Sequence, residues 1–178
     1  MLRQRNLRSL QTSNLRTLQM RRRMQYKRSV KEMIKIKQIK GEDILLRYND
    51  IKQELEKALE YSSGEWTPAQ VVQSAISDPA MFQIWEVQRG NNWIAIASSR
   101  VVQYNNFTSV HIMTLGGDGI KNDMSEVANV FESIIREHEG IDMIEYTGRR
   151  GFVKQLTTAG WKEKYTTMRK SLKENLDV

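Results

Sequence analysis

The clearest structural pattern in the chain is Ser109-Val-His-Ile-Met-Thr-Leu-Gly-Gly-Asp-Gly119, which leads directly into residues 121–138. Residues 107–115 are rich in apolar and β-branched side chains and predict a strand that ends at the glycines. Helical spacing then predicts a helix over 121–138 with these residues along one face: Met124, Val127, Ala128, Phe131, Ile134, Ile135 and His138. Asp123 with Glu126 matches the capping box that begins such a helix.

A second unit of the same kind follows. Residues 141–147 predict a strand, 150–159 a short helix stopped by a glycine, and 161–172 a last strand. Two strands of one sheet that are joined through a helix run in the same direction. We therefore expect 107–115 and 141–147 to be a parallel pair.

The glycine-rich loop has two interpretations. Glycines at the mouth of a helix leave backbone amides that, together with the helix dipole, bind an anion such as a cofactor phosphate. Glycine also serves any tight turn between a strand and a helix, with no ligand involved. The residue pattern leaves both interpretations open.

The residues before this stretch predict the remaining elements. Apolar and polar residues alternate over 33–39, which indicates a strand. Apolar residues at helical spacing over 41–59 then indicate a helix. Thr67-Pro68 with Gln70 begins a second helix, whose apolar side is Val71, Val72, Ala75 and Ile76. Three strands joined by tight turns come next, over 81–88, 93–104 and 107–115. The predicted fold class is α/β, an α+β arrangement around a mixed sheet of about six strands.

Composition narrows the function. The chain has 178 residues, no cysteine and two histidines, His111 and His138, far apart in sequence. These numbers exclude a disulfide framework, a thiol nucleophile and a zinc–thiolate site. No apolar run reaches the length of a membrane span. We expect a soluble protein of the cytoplasm.

Charge divides the chain into two predicted parts, residues 1–32 and residues 33–178. The net charge is +7, but the first 32 residues contain ten Lys or Arg and one acid, Glu32. A basic arm of this kind binds polyanions or acidic protein surfaces. A transit peptide and a natural start at Met33 instead of Met1 are the alternatives.

The element order, with Gly117-Asp-Gly119 between the meander and the long helix, resembles the GNAT family of N-acetyltransferases over about residues 33–172. The resemblance implies an acyl-CoA N-acyltransferase fold, acetyl-CoA as cofactor and an amine substrate of unknown identity. In that family the loop amides bind the cofactor pyrophosphate. Its residues here are Leu115, Gly116, Gly117, Asp118, Gly119 and Ile120, while Thr114 replaces the family's leading Gln or Arg.

The resemblance also places catalytic candidates. The family's general acid, a tyrosine four residues before a Gly-Phe pair, corresponds here to Leu156, which cannot donate a proton. Tyr146 and Tyr165 are the phenols nearby, and Tyr146 is our candidate acid. His111, shortly before the glycine turn, is the candidate base because its ordinary pKa suits proton transfer. Glu86 and Glu145 are alternative bases, and a purely structural role stays open for all three.

Two further features favour a second hypothesis. Arg149 and Arg150 are candidates to bind cofactor phosphates or a nucleic-acid backbone. The segment Tyr146-Thr-Gly-Arg-Arg-Gly-Phe152 and the ending over 161–172 also look like small GNAT-like proteins of tailed bacteriophages. That likeness implies a non-catalytic virion or packaging component in the host cytoplasm or virion. Its arm, residues 1–32, would dock on viral structural proteins or nucleic acid.

Overall fold

The computed structural model describes residues 32–60, 64–117, 119–120, 122–148 and 150–164. Its strands, in chain order, are β1 (Ile34–Ile39), β2 (Phe82–Arg89), β3 (Asn92–Gln103), β4 (Thr108–Gly116) and β5 (Met143–Tyr146). Its helices are α1 (Glu42–Leu46), α2 (Tyr48–Leu59), α3 (Pro68–Ser77), α4 (Met124–Arg136) and α5 (Val153–Thr158), the last preceded by a 3-10 turn (Arg150–Phe152). Residues 1–31 of the basic arm, Asp118, Arg149 and Tyr165 lie outside the described residues.

The strands form one mixed sheet in the order β1-β2-β3-β4-β5. β1 to β4 are antiparallel neighbours, and β5 runs parallel to β4, with α4 as the connection between them. This confirms the predicted α/β fold with a mixed sheet and its parallel pair. The predicted last strand over 161–172 is not observed where it is described: residues 161–164 have no strand structure, and 165–172 lie outside the described residues.

The helices between β1 and β2 differ in part from the prediction. Residues 41–59 form two helices instead of one, because the chain breaks at Arg47. At α3 the capping box is confirmed: the Gln70 amide donates to the Thr67 hydroxyl over 3.3 Å, and the Thr67 amide donates to the Gln70 side chain over 2.9 Å. Ile76 was wrongly predicted as core, since it lies on the outer side of α3 and is 40% exposed.

The start of α4 is held by long-range contacts. The predicted Asp123–Glu126 capping box is wrong, because no side chain caps this helix by a hydrogen bond. Instead the Arg89 guanidinium at the end of β2 pairs with Asp123 at 2.5 Å and lies 3.6 Å from Glu126. Glu126 also accepts the Ile34 amide over 3.4 Å. These contacts fix the first turn of α4 to the edge of β1 and β2.

The sheet separates two cores. On one face α4 and α5 bury the side chains of Trp85, Ala97, Val110, Ile112 and Phe131, among others. On the other face α1, α2 and α3 bury Ile44, Ile51, Leu55, Ile84 and Ile96, among others. Trp85 packs edge-on against Phe131 with ring centroids 5.0 Å apart, and the partly buried Trp93 packs against the second core. Among the helices described, none is long and apolar enough to span a bilayer.

Candidate active site

The sheet opens into a fork where β4 and β5 separate. The last parallel pair is Ile112 with Tyr146, after which β5 ends and β4 continues to Gly116. On its other side β4 carries one extra residue, Met113, because Ser99 pairs with Ile112 and Ser98 pairs with Thr114. A bulge of this kind bends a strand and changes the direction of its side chains. The fork therefore begins at the bulge.

The glycine loop after β4 lies close against neighbouring backbone. A Cβ on Gly116 would lie 2.6 Å from the Cβ of Ala58 on α2. Gly117 has φ +151°, and its Cβ would lie 2.2 Å from the carbonyl oxygen of Ile94 on β3. The Gly119 amide donates to that same carbonyl over 3.4 Å. Packing alone therefore requires glycine at 116 and 117, which supports the interpretation of this loop as a tight turn.

His111 lies on β4 immediately before the fork. Its Nε2 is 3.0 Å from the Thr147 hydroxyl, at the end of β5. Burial and the neighbouring Arg100 charge lower its pKa below the ordinary value of 6.5, while Glu145 acts in the opposite direction. The imidazole is therefore neutral over a wider pH range than an exposed histidine, which is the state that a general base needs.

A row of three ionisable groups crosses the sheet at this point. Arg100 on β3 pairs in register with His111, and His111 pairs with Glu145 on β5. Paired residues on neighbouring strands share one face of a sheet, so a cation, an imidazole and a carboxylate lie side by side. Glu145 also accepts a hydrogen bond of 3.0 Å from the Tyr104 hydroxyl. Sequence reasoning missed Arg100, Tyr104 and Thr147.

Tyr146 lies on the opposite face. Its ring packs with the α4 and α5 core and meets Phe152 edge-on, with centroids 6.4 Å apart. A Cβ on Gly148 would lie 2.0 Å from the Tyr146 hydroxyl oxygen, so the next loop covers the phenol closely. The structure thus brings both candidate catalytic residues to the base of the fork, but on different sides of the sheet.

Leu156 lines an apolar cavity in the core against which the Tyr146 ring packs. The cavity is lined by Ala97, Ile112, Leu115, Met124, Val127, Ala128, Phe131, Leu156 and Trp161. Leu156 is 7% exposed, so the position that the resemblance gives to a general acid is buried among hydrocarbon. The cavity offers only about 10 Å³, room for about one water molecule, and its surface offers no proton.

The sequence also suggested other candidates for catalysis or cofactor binding. Glu86 is buried and accepts hydrogen bonds of 2.7 Å from Arg47 and 3.1 Å from Gln88, on the face covered by α1, α2 and α3. The Thr114 hydroxyl lies 2.7 Å from that of Ser98 in a buried pair. Arg150 begins the 3-10 turn after β5, and its side chain, like Arg149 and Asp118, lies outside what the structure describes.

Comparisons with known proteins identify the fold. No family model matches the sequence, and no curated protein matches it. An aminoglycoside acetyltransferase from an uncultured soil metagenomic sample, solved in complex with sisomicin, is similar with a TM-score of 0.55 and 14% identity over 79% of this chain and 97% of its own. Glucosamine-6-phosphate N-acetyltransferase from Arabidopsis thaliana is similar with a TM-score of 0.53 and 13% identity, over 80% of this chain and 100% of its own.

A possible acetyltransferase from Clostridium difficile 630 gives a TM-score of 0.53 at 14% identity, over 80% of this chain and all of its own. At these identities the likeness concerns the fold. The predicted likeness to small bacteriophage proteins has no support among these neighbours and stays a prediction. The chain has the GNAT acetyltransferase fold, with the fork between β4 and β5 at its centre.

Proposed function

We propose that this protein transfers an acyl group from an acyl-CoA, acetyl-CoA in the simplest case, to an amine held at the fork. The observation that carries the proposal is the pair of titratable side chains at the last paired positions before β4 and β5 separate. His111 faces one side of the sheet there, and Tyr146 faces the other. The Arabidopsis neighbour is an N-acetyltransferase, so this fold supports acyl transfer to nitrogen.

One feature of the fork, the loop before α4, fits a coenzyme A thioester. The apolar cavity at Leu115, Leu156 and Trp161 offers only about 10 Å³, too little for an acyl chain. The backbone of Leu115–Ile120 precedes α4, where the positive end of the helix dipole favours phosphate. We assign the pyrophosphate to this loop, including Asp118, with Arg149 and Arg150 after β5 as cationic partners.

His111 acts as the base in this proposal. We assign the imidazole proton to Nε2, which lies 3.0 Å from the Thr147 hydroxyl oxygen and then donates to it, and this leaves the lone pair on Nδ1. Nδ1 has no hydrogen-bond partner among the described residues, so it is free to take the proton of an attacking amine. With no cysteine in the chain, the amine attacks the thioester directly.

Tyr146 acts as the acid. Acetyl-CoA, when bound, supplies its acetyl group as a thioester, and the leaving thiolate is a modest base with an ordinary pKa near 8.5 for a thiol. The Tyr146 phenol lies on the α4 and α5 side with the apolar cavity, where it replaces the acid that Leu156 cannot provide. Protonation of the thiolate there separates it from the product amide.

A non-catalytic role is the second candidate, and Leu156 is the observation that favours it. A GNAT fold whose acid position is apolar can bind a partner without chemistry. In that case residues 1–32 would dock on viral structural proteins or nucleic acid, in the host cytoplasm or a virion. The division at residue 32 and this location stay predictions.

Calorimetric titration of acetyl-CoA into the full-length protein, followed by thiol release with a panel of primary amines, tests the proposed function. We expect saturable binding and thiol release that depends on the amine. His138→Gln is the matched control, because His138 is exposed and only caps the end of α4 through the Ile134 carbonyl at 2.9 Å. A wild-type protein that binds no acetyl-CoA would favour the non-catalytic role.

A further inference from the structure

Arg100 differs from the other arginines whose side chains the structure describes. Arg47 pairs with Glu86 at 2.7 Å, Arg89 pairs with Asp123, and Arg136 pairs with Glu132 at 2.6 Å. Arg100 forms no ion pair or hydrogen bond with any described residue, and its Nε is buried without an acceptor. Arg100 is half-buried, and its Nε is a buried donor without an acceptor, so this position suits an anion that arrives with a ligand.

The surroundings of Arg100 make it part of the fork. Its register partner on β4 is His111, and its register partner on β2 is Phe82, which packs against the α1–α3 core. Neighbouring strands are about 4.8 Å apart, and directly opposed side chains lie about 5 Å from each other. The two side chains therefore start about one strand spacing apart, and the Arg100 charge acts on the imidazole, so an anion on the guanidinium would lie beside His111.

Glu145 completes the row on the far side of His111. Its carboxylate is oriented by the Tyr104 hydroxyl at 3.0 Å and does not reach Arg100 in an ion pair. The order along the sheet is thus cation, imidazole, anion. A molecule with an anionic group at one end and an ammonium at the other has the complementary order, and its amine would meet Nδ1 of His111.

We propose that the acyl acceptor is a short zwitterionic amine whose carboxylate or phosphate binds Arg100 while Glu145 attracts its ammonium group toward His111. This rests on the proposed acyl transfer. About 5 Å between the amine and the anionic group corresponds to a spacer of two or three carbons. β-Alanine and phosphoethanolamine carry this spacing with a carboxylate and a phosphate, and β-alaninamide and ethanolamine are their counterparts without the anion.

The kinetic test compares these four amines with acetyl-CoA on the full-length protein. Wild type should acetylate the better of the two anionic amines at least about 10-fold more efficiently in kcat/KM than its neutral counterpart. Arg100→Gln should remove this preference by lowering kcat/KM for the anionic amine about 10- to 100-fold relative to that for its neutral counterpart, with acetyl-CoA binding unchanged. Arg100→Lys should keep part of the preference, and Arg136→Gln, an exposed control, should keep all of it.

A second measurement does not require turnover. In NMR titrations, either anionic amine should shift the imidazole signals of His111 and raise its pKa, because a bound anion offsets the Arg100 charge that lowers it. His138 provides the reference signals. Shifts in wild type that are absent in Arg100→Gln, without thiol release, would support the anion site and refute the proposed acyl transfer. The inference would be overturned if wild type acetylated the anionic and neutral amines with equal kcat/KM, or if neither anionic amine shifted the His111 imidazole signals.

Discussion

His111 and Tyr146 occupy neighbouring register positions on β4 and β5, yet their side chains lie on opposite faces of the sheet. His111 pairs with Glu145 and faces away from the α4 and α5 core, whereas Tyr146 pairs with Ile112 and packs into it. Since side chains alternate along a strand, a shift of one register position reverses the face. In the proposed acyl transfer, a base and an acid placed this way would reach the fork from two sides, one for the incoming amine and the other for the leaving thiolate.

Tyr146→Phe should lower kcat about 100-fold, because general acid catalysis typically contributes that much or more. The phenyl ring keeps its contact with Phe152, so the free energy of unfolding and the acetyl-CoA dissociation constant should change little. Stopped-flow measurement of thiol release together with calorimetry would separate these quantities.

Leu156→Met is the matched control for Tyr146→Phe. It conserves volume within the same apolar cavity and should leave kcat unchanged. A Tyr146→Phe protein with the kcat of wild type would show that the thiolate leaves without protonation by this residue.

His111→Gln should lower kcat/KM by about 100-fold or more and remove the acidic limb of its pH profile. In wild type that limb should have its midpoint below 6.5, since burial and the Arg100 charge lower the pKa of His111. Glutamine keeps a donor for the Thr147 hydroxyl, so lost activity would report the lost base. Steady-state rates between pH 5 and 8 provide the measurement. If the acidic limb of the pH profile persists in His111→Gln, it belongs to another titrating group.

Most of the fold follows from local patterns in the sequence. Alternation and helical spacing were sufficient for the order of strands and helices and for the parallel pair of β4 and β5. The start of α4 was predicted wrongly because Asp123 pairs with Arg89, which is distant in sequence. The break at Arg47 likewise accompanies contacts with Glu86 and, at 4.3 Å, with the Trp93 ring. Local patterns carry no information on such pairs.

The candidate site was harder to predict because it depends on strand register. The sequence singled out His111 but not Arg100, although the two residues are equally distant from the Asn105-Asn106 turn. In a hairpin with a short turn, residues equidistant from the turn are paired, so this signal was present in the predicted strands. The proximity of Thr147 to His111 depends instead on where β5 ends, which the periodicity did not fix.

The stability of the protein should fall as the pH drops below the ordinary histidine range. Because His111 has a lower pKa in the folded state, the unfolded chain binds more protons between the folded value and 6.5. The contribution of His111 to the free energy of unfolding is fully present above pH 6.5 and decreases as the pH falls through this interval. Urea denaturation at several pH values, expressed as wild type minus His111→Gln, isolates this residue. In an Arg100→Gln background, the same subtraction should change less with pH, because one cause of the lowered His111 pKa is removed. A stability difference between wild type and His111→Gln that grows on acidification would contradict the assignment.

Gly117→Ala should destabilise the protein by roughly 3 kcal/mol even without any ligand. The new Cβ would meet the Ile94 carbonyl oxygen at 2.2 Å and the Cα of Ala95 at 2.5 Å, both backbone atoms, and φ is +151°. Gly151→Ala is the matched control, since nothing lies within 4 Å of its Cβ and no positive φ opposes it. Thermal and urea unfolding of the apoprotein would show the difference. A fully stable Gly117→Ala protein that fails to bind acetyl-CoA would instead show that this glycine is needed for close approach of the coenzyme.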